Sequence, residues 1–312
     1  MGIVVIGAVF VDIKGFPDDI YIPDGRNVGR IEYIHGGVGR NVAEDIANVE
    51  LRPTFLSIVD NSPLGVDVVK KLKNHKVNLD YTLKIDGGMG SWLAVFDNNG
   101  DVAGSISQRP DMTPLIALLD EKGDEIFSQA DSICIEIDMD KDIVKRVLRL
   151  AEKYHKKVFA VVANMSIAAQ RRDLLQRFDC FICNRLEAGI LFSDDYSQRS
   201  SEELCSIISQ NVTRANIPAM IVTMGEYGAV YATNDGDQGI CRARNVKVRD
   251  TTGAGDAFCA GVVIGMTYGK PIREAVDIGS YLAASVITSS ENVCPRFLPR
   301  ELGVDIDVPD DE

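Results

Sequence analysis

Short apolar runs rich in β-branched residues alternate with longer amphipathic stretches over most of the chain. The first run, Ile3-Val4-Val5-Ile6, has no polar position, which is typical of a strand buried on both faces of a parallel sheet. From Thr113 to residue 224, apolar strand-like runs alternate with segments of helical periodicity. This alternation predicts parallel strands joined by helices that cover both faces of one sheet. We therefore expect an α/β fold.

The same pattern sets the expected elements. Strands are predicted at 3–7, 30–35, 54–59, 81–85, 132–137, 157–163, 179–183 and 219–224. Helices are predicted around 42–49, at 63–74, 114–122, 140–154, 168–176, 185–192 and 200–211, and in the small-residue segment that follows Gly253. The charge-alternating segment 246–249 is strand-like. The acidic tail beyond Pro299, which ends in Asp310-Asp311-Glu312, is expected to be frayed and solvated.

A hairpin is expected in the first third of the chain. Asn98-Asn99-Gly100 separates two strand-like runs, at 91–97 and 101–107, and Asn-Gly between such runs is a strong local hairpin signal. Together with the strand near residue 33, this hairpin would form a small sheet outside the main one. No linker or internal repeat divides the chain, so residues 1–312 are expected to form a single domain.

Composition excludes several classes of protein. The chain has 46% hydrophobic and 25% charged residues, as expected of a soluble globular protein, and no apolar run approaches the roughly 20 residues of a membrane span. A net charge of −13 argues against binding to nucleic acid or to anionic membranes. Seven scattered cysteines show no metal-ligand spacing and indicate a reducing compartment, so we expect a cytoplasmic protein.

The stretch from Arg249 to Phe258 carries the most specific chemistry. Its two glycines let backbone N–H groups turn toward one point, and the helix that follows adds the positive end of its dipole, which suits a phosphate. Asp256 lies in the first turn, where a carboxylate could accept the proton of a substrate hydroxyl. The structural alternative is a plain helix start, with Thr252 as the N-cap.

A second glycine-rich turn, Gly36-Gly37-Val38-Gly39-Arg40-Asn41, also opens a helix. Its adjacent glycines would let a ligand approach the backbone, and the amide of Asn41 offers the donor and the acceptor that sugar hydroxyls need. Asp12 follows the first strand at its carboxyl end, where open α/β sheets bind ligands. Its structural alternative is a turn carboxylate.

Two further segments each have a structural alternative. Asn184 and Glu187 lie three residues apart on one face of a helical turn, where they could reach Mg²⁺-bound phosphate or form a capping box. Thr223, Gly225 and Gly228 lie at a strand end that turns through two glycines, which by itself indicates a loop or hairpin.

The motifs together resemble those of the ribokinase-like carbohydrate kinases, the phosphofructokinase B family. Asp250-Thr251-Thr252-Gly253-Ala254-Gly255-Asp256 is similar to the C-terminal motif of that family, and Gly36-Gly37 with Asn41 is similar to its N-terminal motif. The likeness covers nearly the whole chain and is greatest to the pseudouridine kinase branch, although Asn164 lacks the proline that often follows in that branch. It implies a three-layer α/β sandwich with a mostly parallel central sheet and a small β-sheet lid, here about 14–35 and 88–110.

The resemblance also implies roles for single residues. The catalytic set is the base Asp256 with the anion-binding backbone of Gly253, Ala254 and Gly255. The substrate-binding set is Asp12, Gly36, Gly37, Asn41 and, past the strand at 132–137, Asp138. The nucleotide-binding set is Asn184, Thr223, Gly225, Gly228 and Thr252. Mg²⁺ would lie near Glu187, and K⁺, as in many members, beside the backbone oxygens of Asp250 and Thr252.

The implied reaction is transfer of the γ-phosphoryl group of ATP to a primary hydroxyl of a sugar or nucleoside, with pseudouridine favoured. A free-sugar kinase of the ribokinase or fructokinase type and a non-catalytic sugar-binding regulator are the alternatives. A nucleotide-dependent oxidoreductase is disfavoured because only Gly7 of a G-x-G-x-x-G motif follows the first strand. The apolar run from Trp92 to Phe96 needs cover on both faces, which predicts a homodimer formed through the lid.

Overall fold

The structure is a computed structural model, and it describes residues 2–306. Its strands are β1 Ile3–Ile6, β2 Phe10–Pro17, β3 Gly29–Gly36, β4 Thr54–Val59, β5 Thr82–Lys84, β6 Gly90–Phe96, β7 Val102–Gln108, β8 Ser132–Glu136, β9 Lys157–Val161, β10 Cys180–Asn184, β11 Ala219–Thr223, β12 Ala229–Thr233 and β13 Gln238–Cys241. Its α-helices are α1 Val38–Asn48, α2 Pro63–Asn74, α3 Leu115–Gln129, α4 Lys141–Lys153, α5 Met165–Ala168, α6 Arg185–Phe192, α7 Ser201–Ala215, α8 Ala254–Thr267 and α9 Ile272–Ile287.

Within residues 2–306, nine strands form a large sheet in the order β13-β12-β11-β10-β9-β8-β1-β4-β5. The strands from β11 to β5 in this order are all parallel, and β12 and β13 add an antiparallel edge. Parallel strands bring their carboxyl ends to one edge, so β1, β8, β10 and β11 all deliver their following loops to the same side. The mostly parallel sheet predicted from the alternation is confirmed.

The large sheet is covered on both faces. In β1, Ile3 and Val5 belong to one hydrophobic core, whereas Val4 and Ile6 belong to another. The first core is completed by apolar residues of α1, α2, α8 and α9, and the second by residues of α3, α4, α6 and α7. This arrangement explains why the strand sequences have no polar alternation: successive side chains point alternately into the two hydrophobic cores, so both faces of each strand are buried. The three-layer sandwich is therefore confirmed.

The remaining four strands form a separate small sheet in the order β3-β2-β6-β7, which we call the lid. The predicted hairpin is confirmed: β6 and β7 are antiparallel, and Gly100 in their turn has a φ of 84°. Strand β2, in contrast, was not predicted, because Lys14, Gly15 and Pro17 interrupt its apolar pattern. Pairing with β3 on one side and β6 on the other makes this segment a strand.

Two other sequence-based predictions were wrong. The segment 246–249 is not a strand; the amide of Arg249 donates to the carbonyl of Ile287 instead of to a neighbouring strand. Helix α3 continues to Gln129 rather than ending before Gly123. Gly123 is tolerated because it packs on α4, where a Cβ would lie 2.5 Å from Leu150 Cδ1. In both cases a distant contact overrides the local signal.

The tail beyond Pro299 was predicted to be frayed, and this is wrong as far as residue 306, because Leu302 and Val304 are buried. The rest of that prediction falls on residues 307–312, which lie outside the described residues. Among residues 2–306, no helix is long and apolar enough to cross a membrane. The single-domain organisation of residues 1–312 stays a prediction.

Candidate active site

The loop before α8 is folded tightly around glycine. Gly253 has a φ of 80°, and a Cβ there would lie 1.9 Å from the carbonyl oxygen of Asn292, so only glycine fits. The carboxylate of Asp250 accepts hydrogen bonds from the amide and the hydroxyl of Thr252, at 2.9 and 2.8 Å, and these bonds lower the pKa of Asp250. The loop is therefore set before the helix begins.

The amides of this loop are not equivalent. The N–H of Ala254 donates to the carbonyl oxygen of Thr251 at 3.2 Å, which engages it within the turn. Gly255 has open space on the side where a Cβ would stand, so a ligand can approach its backbone closely. Together with the N-terminus of a 14-residue helix, this opening suits an anion.

Asp256 lies in the first turn of α8 and is held by Asn41, which is 215 residues earlier in the chain. Asn41 Nδ2 donates to Asp256 Oδ2 at 2.6 Å. Burial raises the pKa of Asp256 to about 6; the hydrogen bond from Asn41 and the charge of Arg40 oppose this rise. A carboxylate with a pKa near neutrality is suited to accept a proton from a hydroxyl.

Asn41 also keeps one free acceptor. Among the described residues, its Oδ1 is buried and has no hydrogen-bond partner. A buried amide oxygen without a partner is costly, unless a ligand supplies the missing donor. The amide is therefore oriented with Nδ2 toward the carboxylate of Asp256 and with Oδ1 available to a ligand hydroxyl.

The glycines before α1 bring the chain against Asp12. Gly37 has a φ of 99°, and a Cβ on Gly36 would lie 2.7 Å from Asp12 Oδ2. Burial raises the pKa of Asp12, whereas the charges of Lys14 and Arg40 lower it. Asp12 lies within β2 and not in a loop after the first strand, so the predicted position is corrected: the lid carries this carboxylate to the site.

Asn184 and Glu187 form the capping box that the sequence left as an alternative. Asn184 Oδ1 accepts from the amide of Glu187 at 2.9 Å, and Glu187 Oε2 accepts from the amide of Asn184 at 2.7 Å. Burial also raises the pKa of Glu187, and the nearby charge of Asp138 adds to the rise. The carboxylate is thus both a cap and a half-buried acid near Asp256.

Asp138 follows β8 and is bound from two directions. Arg109 Nη2 donates to its Oδ2 at 2.9 Å, and the amide of Ala163 donates to its Oδ1 at 3.0 Å. Arg109 lies directly after β7, so this ion pair joins the end of the lid to the carboxyl edge of the large sheet. Sequence analysis missed Arg109, since no local pattern distinguishes it.

The predicted nucleotide segment shares that edge. Thr223 is the parallel register partner of Asn184, so these two residues lie side by side. Gly225 has no atom near its open side, whereas a Cβ on Gly228 would lie 2.0 Å from the carbonyl oxygen of Cys241. Gly228 therefore serves the packing of the β12–β13 edge, and Gly225 is the glycine that a ligand could approach.

Two further charged residues of the site were missed by the sequence analysis. Glu136, at the end of β8, accepts hydrogen bonds from the amides of Ala8 and Gly39 at 3.2 and 2.6 Å. Burial, helped by the charge of Asp138, raises the pKa of Glu136 to about 8. Arg40 is fully buried and pairs with Glu44 at 2.5 Å. A charge inside an otherwise apolar run was the available signal for Glu136.

Another cleft, of about 450 Å³, lies at the opposite end of β9. Its lining includes Glu152, Lys156 and Arg177 but none of the predicted site residues. Arg177 pairs there with Glu152 at 3.3 Å. Acids with raised pKa values, open backbone at Gly255 and the unpaired Oδ1 of Asn41 converge on the Asp256 side, and we take that side as the candidate active site.

Comparisons with known proteins agree on one family. The family model described as "pfkB family carbohydrate kinase" matches residues 2–294. Guanosine-inosine kinase of Exiguobacterium acetylicum is 38% identical over 299 residues, which cover 95% of this chain and 98% of that protein. Pseudouridine kinase of Escherichia coli (strain K12) is 25% identical over 275 residues, covering 88% and 86%. Ribokinase of Arabidopsis thaliana, solved with ribose and ATP, has a TM-score of 0.82 at 19% identity, covering 96% and 97%, and shows the fold.

The hydrogen bond between Asn41 and Asp256 can be tested by titration. Asn41→Ala removes a donor that stabilises the ionised form, so the pKa of Asp256 should rise above its value of about 6. Carboxyl ¹³C chemical shifts measured against pH would report it. Asn61→Ala, which removes a surface contact with Asp86, is the control and should leave the pKa unchanged. A constant or lowered pKa in the Asn41 variant would contradict the contact.

Proposed function

The chain belongs to the pfkB family of carbohydrate kinases, and we propose that it phosphorylates a primary hydroxyl of a purine nucleoside such as guanosine or inosine, using ATP. The observation that carries the substrate is the 38% identity, over nearly the full length of both chains, to a guanosine-inosine kinase. Pseudouridine, which the sequence motifs favoured, remains the second candidate, since a pseudouridine kinase is 25% identical over 275 residues.

In this proposal Asp256 is the general base. Its raised pKa keeps the carboxylate basic enough to take the proton of the hydroxyl as that oxygen attacks the γ-phosphorus of ATP. Asn41 orients the carboxylate through Nδ2 and binds a sugar hydroxyl through its unpaired Oδ1. Asp12 and the backbone of Gly36 and Gly37 bind further hydroxyls from the lid side.

The loop before α8 would stabilise the transferred group. The amides of Gly253 and Gly255, at the positive end of the helix, would donate to the phosphoryl oxygens on which negative charge grows. Ala254, also predicted in this role, holds the turn through its bond to Thr251. Asn184, Thr223, Gly225 and Thr252 would line the nucleotide, and Gly228, also predicted in this role, would shape the neighbouring edge through its packing on Cys241.

The carboxylates of the site fit a Mg²⁺ ion carried by the nucleotide. Among residues 2–306, no group of three or more His, Cys, Asp or Glu side chains could hold a metal ion by itself. Mg²⁺ usually keeps several waters and is bound through phosphates with one or two carboxylates, and half-buried Glu187, near Asp138, would supply these. Bound there, Mg²⁺ would neutralise phosphate charge. K⁺ beside the backbone oxygens of Asp250 and Thr252 stays a proposal.

The identity of the base is tested by Asp256→Asn. The variant keeps the size and hydrogen bonding of the side chain but cannot take a proton, so kcat should fall by about 10²–10⁴ with ATP binding retained. In the native enzyme, kcat/KM should fall as the pH drops through about 6, because protonated Asp256 cannot act as a base. Asp235→Asn, an exposed carboxylate, is the matched control. Near-native turnover by the Asp256 variant would remove this role.

The substrate is tested by a direct comparison. Purified protein with ATP and Mg²⁺ is offered guanosine, inosine, pseudouridine, ribose and fructose, and phosphorylated products are identified by mass spectrometry. We expect the highest kcat/KM for guanosine or inosine. A clear preference for pseudouridine or for a free sugar would replace the proposed substrate, and the absence of transfer to any of them would favour a non-catalytic regulator.

The predicted homodimer would be formed through the outer face of the lid. Tyr33, Ile13, Leu93 and Ile106 are successive register partners across β3, β2, β6 and β7, so they form one apolar row on one face. Tyr33 is 58% exposed and Ile106 is 71% exposed. A self-complementary row of this kind is covered most simply by a second copy related by a two-fold axis.

Light scattering and sedimentation test this dimer. We expect a dimer at micromolar concentration, and Ile106→Glu should convert it to a monomer, because a charge would be buried without a partner. Val66→Glu, on the exposed side of α2, makes the same change at another apolar surface position and should leave the dimer intact. A native monomer would contradict the prediction.

A further inference from the structure

The inner face of the lid, opposite the apolar row, carries an aromatic side chain next to a predicted substrate binder. Asp12 in β2 and Trp92 in β6 are register partners in a parallel pair. Paired residues on adjacent strands are about 4.8 Å apart and direct their side chains to the same face. A Cβ on Gly36 would lie 2.7 Å from Asp12 Oδ2, so this face of the lid is turned toward the glycine-rich turn of the candidate active site. The indole of Trp92 therefore borders the pocket in which the sugar is bound.

The ring of Trp92 is supported from the outer end of the lid. Phe96 meets Trp92 edge to face, with ring centroids 6.5 Å apart and an interplanar angle of 90°. Phe16 stacks on Phe96 at 4.8 Å, and the guanidinium of Arg30 lies 4.3 Å above Phe16. Ala94, between Trp92 and Phe96 on the same strand, has no exposed surface. The cluster fixes the orientation of the indole.

The indole is nevertheless not covered. Trp92 keeps part of its surface accessible, whereas Ala94, two residues further along the same face, has none. An aromatic ring that is held by neighbours and still partly open is suited to stack on a planar ligand. A free sugar has no planar group to offer, whereas a nucleoside carries a base directly beside the hydroxyls that Asp12 would bind.

We propose that Trp92 is the platform on which the nucleobase stacks, and that this contact selects nucleosides over free sugars; the proposal rests on the proposed nucleoside kinase function. The base lies against the inner face of the lid, while the sugar reaches down to Asp12 and Asn41. Because stacking requires a planar ring and not a particular pattern of hydrogen bonds, Trp92 favours nucleosides as a class, and other groups distinguish one base from another.

The first experiment uses the fluorescence of Trp92, which is the single tryptophan of the chain. The native protein is titrated without ATP, first with guanosine and then with ribose, and only tryptophan is excited. Guanosine should quench and shift the emission in a saturable way, whereas ribose should not, even at concentrations that occupy its site. Equal effects of the two ligands, or no effect of a nucleoside that binds by calorimetry, would overturn the proposal.

The second experiment separates stacking from catalysis with three variants. Trp92→Leu should raise the KM for guanosine about 5- to 150-fold, while kcat, the KM for ATP and any residual activity on ribose change little. Trp92→Phe keeps an aromatic face and should restore most of the affinity. Val95→Ala is the control: Val95 lies on the opposite face of the same strand, paired with Gly15 and Gly104, and its loss should leave the KM for guanosine unchanged.

The outcomes distinguish this proposal from the one on which it rests. If the enzyme phosphorylates guanosine and Trp92→Leu leaves its KM unchanged, the stacking role is wrong and the nucleoside kinase function stands. If the native enzyme phosphorylates free sugars but no nucleoside, both are wrong. A raised KM for guanosine with restoration by Trp92→Phe supports the stacking role, because a variant with a merely distorted lid would also lose activity on ribose.

Discussion

The burial of charged side chains along α1 is the constraint on which the site depends. Arg40, Glu44 and Asp45 have no exposed surface, although each would be charged in water, and such groups are retained in an interior only when they are paired. Arg40 pairs with Glu44 and donates to the carbonyl oxygen of His35, at the end of β3. Asp45 accepts from the amide of Cys294 at 2.6 Å. One helix thereby ties the lid strand to the segment that packs on Gly253.

The same helix supplies Asn41, so the substrate side and the phosphate side of the site share one support. The carbonyl oxygen of Asn292, two residues before Cys294, packs against Gly253 in the loop before α8. The side-chain amide of Asn292 donates to the carbonyl oxygen of His35. Substitutions along the buried face of α1 would therefore disturb the position of Asp256 even though they touch no ligand. A buried ion pair such as Arg40–Glu44 adds little to the stability of the fold by itself. Its role here is to hold α1 in position relative to the lid strand.

Acidic groups dominate the rest of the site. Glu136 and Asp138 lie at and just after the end of β8, whereas Glu187 and Asp256 lie in the first turns of α6 and α8, and burial raises the pKa values of Glu136, Glu187 and Asp256. A chain with a net charge of −13 offers little general attraction to a nucleotide. The attraction must be local, from the α8 N-terminus, the loop amides and the cation that accompanies the phosphates. Arg40 and Arg109 limit the mutual repulsion of the acids.

The sequence by itself determined the elements and motifs whose causes are local. The unbroken apolar run at Ile3–Ile6, the Asn98-Asn99-Gly100 turn and the glycines before α8 each act within a few residues, so pattern and turn chemistry were sufficient. Only the tertiary structure decided which distant groups meet. The bond from Asn41 to Asp256 spans 215 residues, β2 exists because of its two partner strands, and the pKa of Glu136 depends on how deeply the folded chain buries it. Burial and pairing depend on contacts between segments that are distant in sequence, so no short stretch of the sequence can reveal them.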